Sequence, residues 1–138
     1  MLFDYASLTP GQEVSRETLV MDNETVASYV CAVRDDSFGT PIMQDDQGEK
    51  SYVPAMAIAA MSVRGVVNDL QIPGGTLHLG QEVRFLEAVR SGETLTCVAM
   101  LLQNSIRRGQ RILVVSLEVV NDLGQKVMSG KSTIAVPV

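Results

Sequence analysis

Residues 53–85 read VPAMAIAAMSVRGVVNDLQIPGGTLHLGQEVRF, and the change of period inside this stretch decides the fold. Ala55 to Met61 is apolar on every side, which predicts a helix buried all round. Pro54 suits the first turn of that helix, where its missing N–H costs nothing. Val63, Val66, Val67 and Leu70 then narrow to one stripe, with Arg64, Asn68 and Asp69 opposite. After the Pro73-Gly74-Gly75 break the period becomes two. Leu77, Leu79, Val83 and Phe85 alternate with His78, Gly80, Glu82 and Arg84, the pattern of a half-buried strand.

Downstream the strand signal continues to the end of the chain. Arg90-Ser91-Gly92-Glu93 is a turn, and Thr94 to Leu102 is a strand. Ser105 to Gln110 is a second turn, and Arg111 to Val120 is a β-branched run. Asn121-Asp122-Leu123-Gly124 is a third turn, and Gln125 to Val138 is the last strand. Turns at these intervals predict an antiparallel meander. Its valines and leucines fall on both faces, notably over 112–120, so the face away from the helix is expected to need cover. A symmetric dimer with sheets joined edge to edge is the simplest solution.

Upstream, residues 11–21 (GQEVSRETLVM) read as a short strand. Asp22 or Asn23 then caps a helix, because a side-chain oxygen there accepts a free backbone N–H. Val26, Val30 and Val33 form its apolar stripe. Residues 35–52 (DDSFGTPIMQDDQGEKSY) are the longest irregular stretch and carry four aspartates. Loops of this length in a compact domain often carry function. One buried helix, four long strands and an N-terminal strand make a single α+β domain over 1–138, with the sheet wrapped around the helix.

Composition narrows the function. At 46% hydrophobic and 20% charged residues, the chain has material for a core and is not of the disordered type. A net charge of -5 argues against a nucleic-acid surface. Arg107, Arg108 and Arg111 beside Gly109 read as a solvated hairpin tip. Cys31 and Cys97 lie among apolar residues and read as buried free thiols of a reducing cytosol. The N-terminus has no secretory pattern and no stretch is apolar enough to span a bilayer, so a cytoplasmic, membrane-free protein is expected. With one histidine, a metal cluster of the usual kind is not expected.

These residues resemble the hot-dog fold, and within it the MaoC-like dehydratase and hydratase family. The resemblance is carried by LHLGQEVRFLEAVRSGETLTCVAM (77–100) and RILVVSLEVVNDLGQKVMSGKSTIAVP (111–137). TPGQEV (9–14), AVRDD (32–36) and YVPAMAIAAM (52–61) stand in the family's order. The resemblance implies an acyl-thioester hydratase or dehydratase of fatty-acid metabolism. It would act on a 2-enoyl or 3-hydroxyacyl group carried by coenzyme A or a carrier protein, with no other cofactor. In such proteins an Asp and a His before the central helix activate the water that adds across the double bond.

The family pattern there is roughly Gly-Asp-x-Asn-Pro-x-His, and this chain reads Arg34-Asp35-Asp36-Ser37-Phe38-Gly39-Thr40. Asp35 takes the aspartate position, with Asp36 beside it as a second candidate base. Thr40 stands where the histidine would meet substrate, or Met43 if the alignment is set on Pro41, and neither side chain can shuttle a proton near neutral pH. A carboxylate serves only if burial or a neighbouring carboxylate raises its pKa. As four charges of a solvated loop, these aspartates need no function at all.

The backbone N–H groups of Ala55 and Met56 are the expected oxyanion donors, and Tyr52 is a candidate hydrogen-bond donor to substrate. Met56, Ile58 and Met61 would line an acyl tunnel, although core packing explains them as well. Three readings follow: a lyase, a non-catalytic hot-dog subunit that binds thioester or completes a heteromer with a catalytic partner, and a thioesterase. The last needs a carboxylate on the helix, where only Asp69 is present, at its far end.

Overall fold

The structure is a computed structural model that describes residues 3–22, 24–25 and 52–137. Asp35, Asp36 and Thr40 lie outside the described residues, as do Cys31 and the stripe of Val26, Val30 and Val33. Asp22 does cap the chain that follows it: its Oδ1 accepts from the Thr25 N–H at 2.8 Å. That bond holds the Asp22 carboxyl below the usual range.

The expected helix is present in two pieces, α1 (Ala55–Ser62) and α2 (Arg64–Asp69), which meet at Val63. The break has a local cause. The Ser62 hydroxyl donates to the Ala59 carbonyl at 2.7 Å and so competes with the helix ladder. Burial is one-sided rather than complete. Ala57, Ile58 and Ala59 are buried, whereas Ala55 and Ala60 are exposed and Met56 is 56% exposed. The all-apolar sequence overstated the burial, because a helix laid on a single sheet buries only the stripe it turns towards that sheet.

The strands are β1 (Glu13–Val20), β2 (Leu77–Phe85), β3 (Thr94–Arg107), β4 (Gln110–Asn121) and β5 (Lys126–Pro137). Among the described residues they form one antiparallel sheet in the order β1-β3-β4-β5-β2. Only β3, β4 and β5 form the expected meander. β2 does not pair with β3, its neighbour in sequence. It pairs with β5 at the far edge, and the chain returns through residues 86–93. On that return Val53 donates to the Val89 carbonyl at 2.7 Å, and Tyr52 forms a bridge with Arg90. The start of α1 is thereby tied to the connection that crosses the sheet.

Cross-strand rows separate the two faces. One row runs Glu17, Cys97, Val119, Met128, Phe85, and the next inner row runs Ser15, Ala99, Leu117, Gly130, Val83. Leu101, Leu113, Val115, Leu117 and Val119 are each at most 1% exposed on this inner face. The outer face combines charged and apolar residues. Its rows run Glu13, Met100, Ser116, Lys131, Glu82 and Arg16, Val98, Glu118, Ser129, Arg84. Ion pairs decorate it, with Arg16–Glu13 at 2.7 Å, Lys126–Glu118 at 3.0 Å and Lys131–Glu82 at 3.8 Å. The other outer rows set Ile112, Val114 and Val120 beside Ser105, Thr133 and Lys126, and Met100 is 40% exposed, so this face is mixed.

The two helical pieces are anchored to the sheet at several points. The Arg64 guanidinium meets Glu17 Oε1 at 2.6 Å and Ser15 donates to Asp69 at 2.8 Å, joining α2 to β1. Gly65 makes this approach feasible, since a Cβ there would collide with Ser15 and Glu17. The Tyr5 hydroxyl donates to the Leu70 and Gln71 carbonyls at 2.7 and 2.9 Å, which occupies the open carbonyls past the end of α2.

The position of β2 depends on Gly130, where an added Cβ would strike the Glu82 carbonyl. Gly130→Val is expected to destabilise the fold by roughly 1–3 kcal/mol through overpacking. Gly80→Ala, whose Cβ meets nothing within 4 Å, is expected to change little. Thermal unfolding followed by circular dichroism measures both.

Candidate functional site

The N-terminus of α1 opens onto a cavity of about 310 Å³. Val53, Ala55 and Ile58 line one side, and Phe85, Leu86 and Val89 the other. Pro54 occupies the N-cap with an extended backbone (φ -57°, ψ 131°), and no side-chain hydrogen bond caps the helix. Proline brings no side-chain acceptor, so the amides of Ala55 and Met56 head the helix at the positive end of its dipole. Such a terminus favours a carbonyl oxygen that gains negative charge.

Of the expected site residues, the structure brings Tyr52, Ala55 and Met56 to this end of the helix. Met56 contributes an exposed side chain and its backbone amide. Tyr52 has a second partner that the sequence did not suggest. Its hydroxyl oxygen accepts from Arg90 Nη2 at 2.9 Å, and the Arg90 guanidinium carbon lies 4.6 Å from the ring centroid. Stacking and hydrogen bond together fix the ring, and the chain neighbours Val53 and Val89 line the cavity. The Arg90 backbone N–H in turn donates to Glu93 Oε2, which holds the turn that carries the arginine. Arg90 lay hidden in sequence because it reads as an ordinary turn residue, and only the bridge to Tyr52 reveals its place.

Asp69, the carboxylate on which a thioesterase reading depended, accepts from Ser15 on β1. It lies at the end of the helical segment remote from Ala55. His78, the only histidine, also lies towards that remote end. Its Nε2 is 2.9 Å from the hydroxyl of Ser132, which is 4% exposed. An irregularity between His78 and Gly80 shifts the register of β2, so His78 pairs with Ile134 and shares the inner face with Leu113. The strict alternation read from sequence had set His78 opposite Val83 and Phe85, and the bulge reverses that. Among the described residues, no group of three or more His, Cys, Asp or Glu is placed to hold a metal. No described helix is long and apolar enough to cross a membrane.

Comparison with known proteins agrees with this architecture. The sequence matches the family described as FAS1-like, dehydratase domain region, over residues 8–130. The chain belongs to that family, a MaoC-like hot-dog group. No curated protein matches the sequence significantly. The R-hydratase PhaJ1 from Pseudomonas aeruginosa superposes with a TM-score of 0.77 at 21% identity, over 99% of this chain and 86% of that one. The MaoC-like dehydratase from Rhodospirillum rubrum gives 0.69 at 16% identity, over 99% and 97%. The HadBC complex of Mycobacterium tuberculosis, a 3R-hydroxyacyl-ACP dehydratase, gives 0.71 at 19% identity, over 91% and 96%. These likenesses place the fold among hot-dog proteins.

Cys97, on the inner face opposite Glu17, has its thiol pushed up to about 11, first by burial and then by the Glu17 charge. A thiol attacks as the thiolate. In a Cys31→Ser background, Cys97 is expected not to react with a chromogenic disulfide reagent at pH 8 while the protein is folded. Full reaction is expected in denaturant, and rapid reaction of the native form would refute the assigned burial.

Proposed function

We propose that this chain handles acyl thioesters at the N-terminus of α1, as a hydratase or dehydratase of 2-enoyl and 3-hydroxyacyl groups. The carrier is coenzyme A or an acyl-carrier protein. One observation carries the reading: the uncapped start of α1 faces a largely apolar cavity in a chain of the dehydratase-region family. In hydration, a base takes a proton from water as its oxygen bonds C3 of the enoyl group. The charge passes to the thioester oxygen, which the Ala55 and Met56 amides stabilise, and C2 is then protonated. Asp35 and Asp36 are the candidate bases, and Thr40 is assigned to the substrate side of the same loop.

A second reading is favoured by the whereabouts of histidine. Residues 34–40 contain none, and His78 is bonded to Ser132 near the other end of the helical segment. On this reading the chain is the thioester-holding subunit of a heteromer whose partner supplies the catalytic histidine. Co-purification of a second hot-dog chain that restores turnover would decide for it.

Ala55→Pro separates the amide from the helix. Proline is tolerated at the first helical position, and Pro54 already has the extended backbone that precedes a proline. The substitution is expected to leave helicity unchanged. It should lower turnover of a 2-enoyl-CoA by roughly 10²–10³, the usual cost of one oxyanion donor. Asp35→Asn should abolish turnover if Asp35 is the base. In the heteromer reading Ala55→Pro weakens calorimetric binding of the thioester, while Asp35→Asn leaves that binding intact.

Self-association is assigned to the free edge of β2, where Leu77 and Leu79 are 51% and 55% exposed. An apolar edge strand is a template for another strand. Leu79→Lys is expected to shift the protein from dimer to monomer by light scattering, and an unchanged mass would remove β2 as the interface.

A further inference from the structure

We infer that the basic tip of the β3–β4 hairpin of one copy binds the phosphate groups of the carrier whose thioester lies at Ala55 of a second copy. The inference deepens the proposed function and rests on it, and on pairing of two copies through the β2 edge. The tip is a two-residue turn between Arg107 and Gln110, with Arg108 at φ 52° and Gly109 at φ 75°. Such turns favour Asn-Gly, because most side chains are strained at positive φ. An arginine is held here against that preference. Backbone strain kept in a native turn points to a use for the side chain it carries.

Positive charge is concentrated at this tip. Arg107, Arg108 and Arg111 fall within five residues, while no Asp or Glu occurs between Glu93 and Glu118 or after Asp122. The end rows of the sheet are Arg107, Gln110, Pro137 and Ile106, Arg111, Val136, so the flanking strands bring no carboxylate. Arg107 and Arg108 are exposed and form no ion pair among the described residues. Arg111 is held in place: its Nη1 donates to Asn104 Oδ1 at 2.8 Å, and Asn104 donates to the Tyr5 and Leu8 carbonyls. Guanidinium groups so placed match phosphate oxygens in geometry and charge. Within one copy the tip is remote from the thioester site. It lies at the Leu77 end of β2, whereas Phe85, at the other end, lines the cavity. Two identical edges related by a two-fold axis run antiparallel, which brings the Leu77 end of one copy towards Phe85 of the other. The tip then stands about three strand spacings from that Phe85, roughly 15 Å across the sheet. A pantetheine arm spans such a distance, so the tip meets the phosphates where the arm leaves the cavity.

The test is calorimetric titration of the full chain with one 2-enoyl group carried on coenzyme A, on phosphopantetheine and on pantetheine. These probes share the arm and carry progressively fewer phosphate groups. The native protein is expected to bind the coenzyme A thioester about tenfold more tightly than the pantetheine thioester, a preference that salt weakens. Arg107→Gln combined with Arg108→Asn should erase the preference and leave binding of the pantetheine thioester unchanged. Asparagine suits this turn, so the unfolding temperature should not fall. An intermediate affinity for the phosphopantetheine thioester assigns the contact to the phosphate that a carrier protein also presents. Affinity no better than for pantetheine assigns it to the phosphates of the nucleotide. Leu79→Lys leaves the tip intact and should lose the preference together with the dimer. A preference kept by the arginine variant or by the Leu79→Lys monomer overturns the inference, as does an unchanged mass for Leu79→Lys. Equal binding of every thioester by the native protein overturns it and leaves the thioester reading standing, whereas binding of none overturns both.

Discussion

One constraint organises this molecule: a single apolar helical segment must be buried against one face of one sheet. The inner rows of β3 and β4 supply leucine, valine and alanine with almost no exposed surface. The segment cannot be covered equally on all sides by one layer, so its outward flank stays open. Contacts at both ends then fix its position. Val53 bonds to Val89 at the start, and Tyr5 occupies the carbonyls past the end. The Arg64–Glu17 pair is half exposed and adds more to orientation than to stability.

Two cavities along the helical segment are consequences of that placement. The strand after the helix, β2, travels to the far edge and pairs with β5, so it runs beside the helix without filling the space along it. Near the helix start the gap is bounded by Phe85 and Leu86, and near the other end by His78. The glycine at 130 permits this route because it has no side chain to meet the Glu82 carbonyl. A free β2 edge with Leu77 and Leu79 exposed is the further consequence.

Much of this was legible in the chain. The shift from helical to alternating period after Pro73-Gly74-Gly75, the turns at 90–93 and 121–124, and the Asp22 cap are all local signals. Turn chemistry at Asn121 is an example, since its side-chain oxygen accepts from the Leu123 and Gln125 amides. The dehydratase-type resemblance was equally readable, because it rests on the order of these elements. The contact of Arg90 with Tyr52 was not, because the two are remote in sequence.

Sequence by itself determined which segments are helix or strand, where the chain turns, and that residues 34–40 carry carboxylates but no histidine. Those properties depend on each residue's own preference and its nearest neighbours. Tertiary structure alone decided that β2 lies next to β5 and that His78 joins Ser132 on the inner face. The last of these turns on one irregularity between His78 and Gly80. A shift of one residue exchanges the two faces of a strand, and only pairing with β5 selects the register.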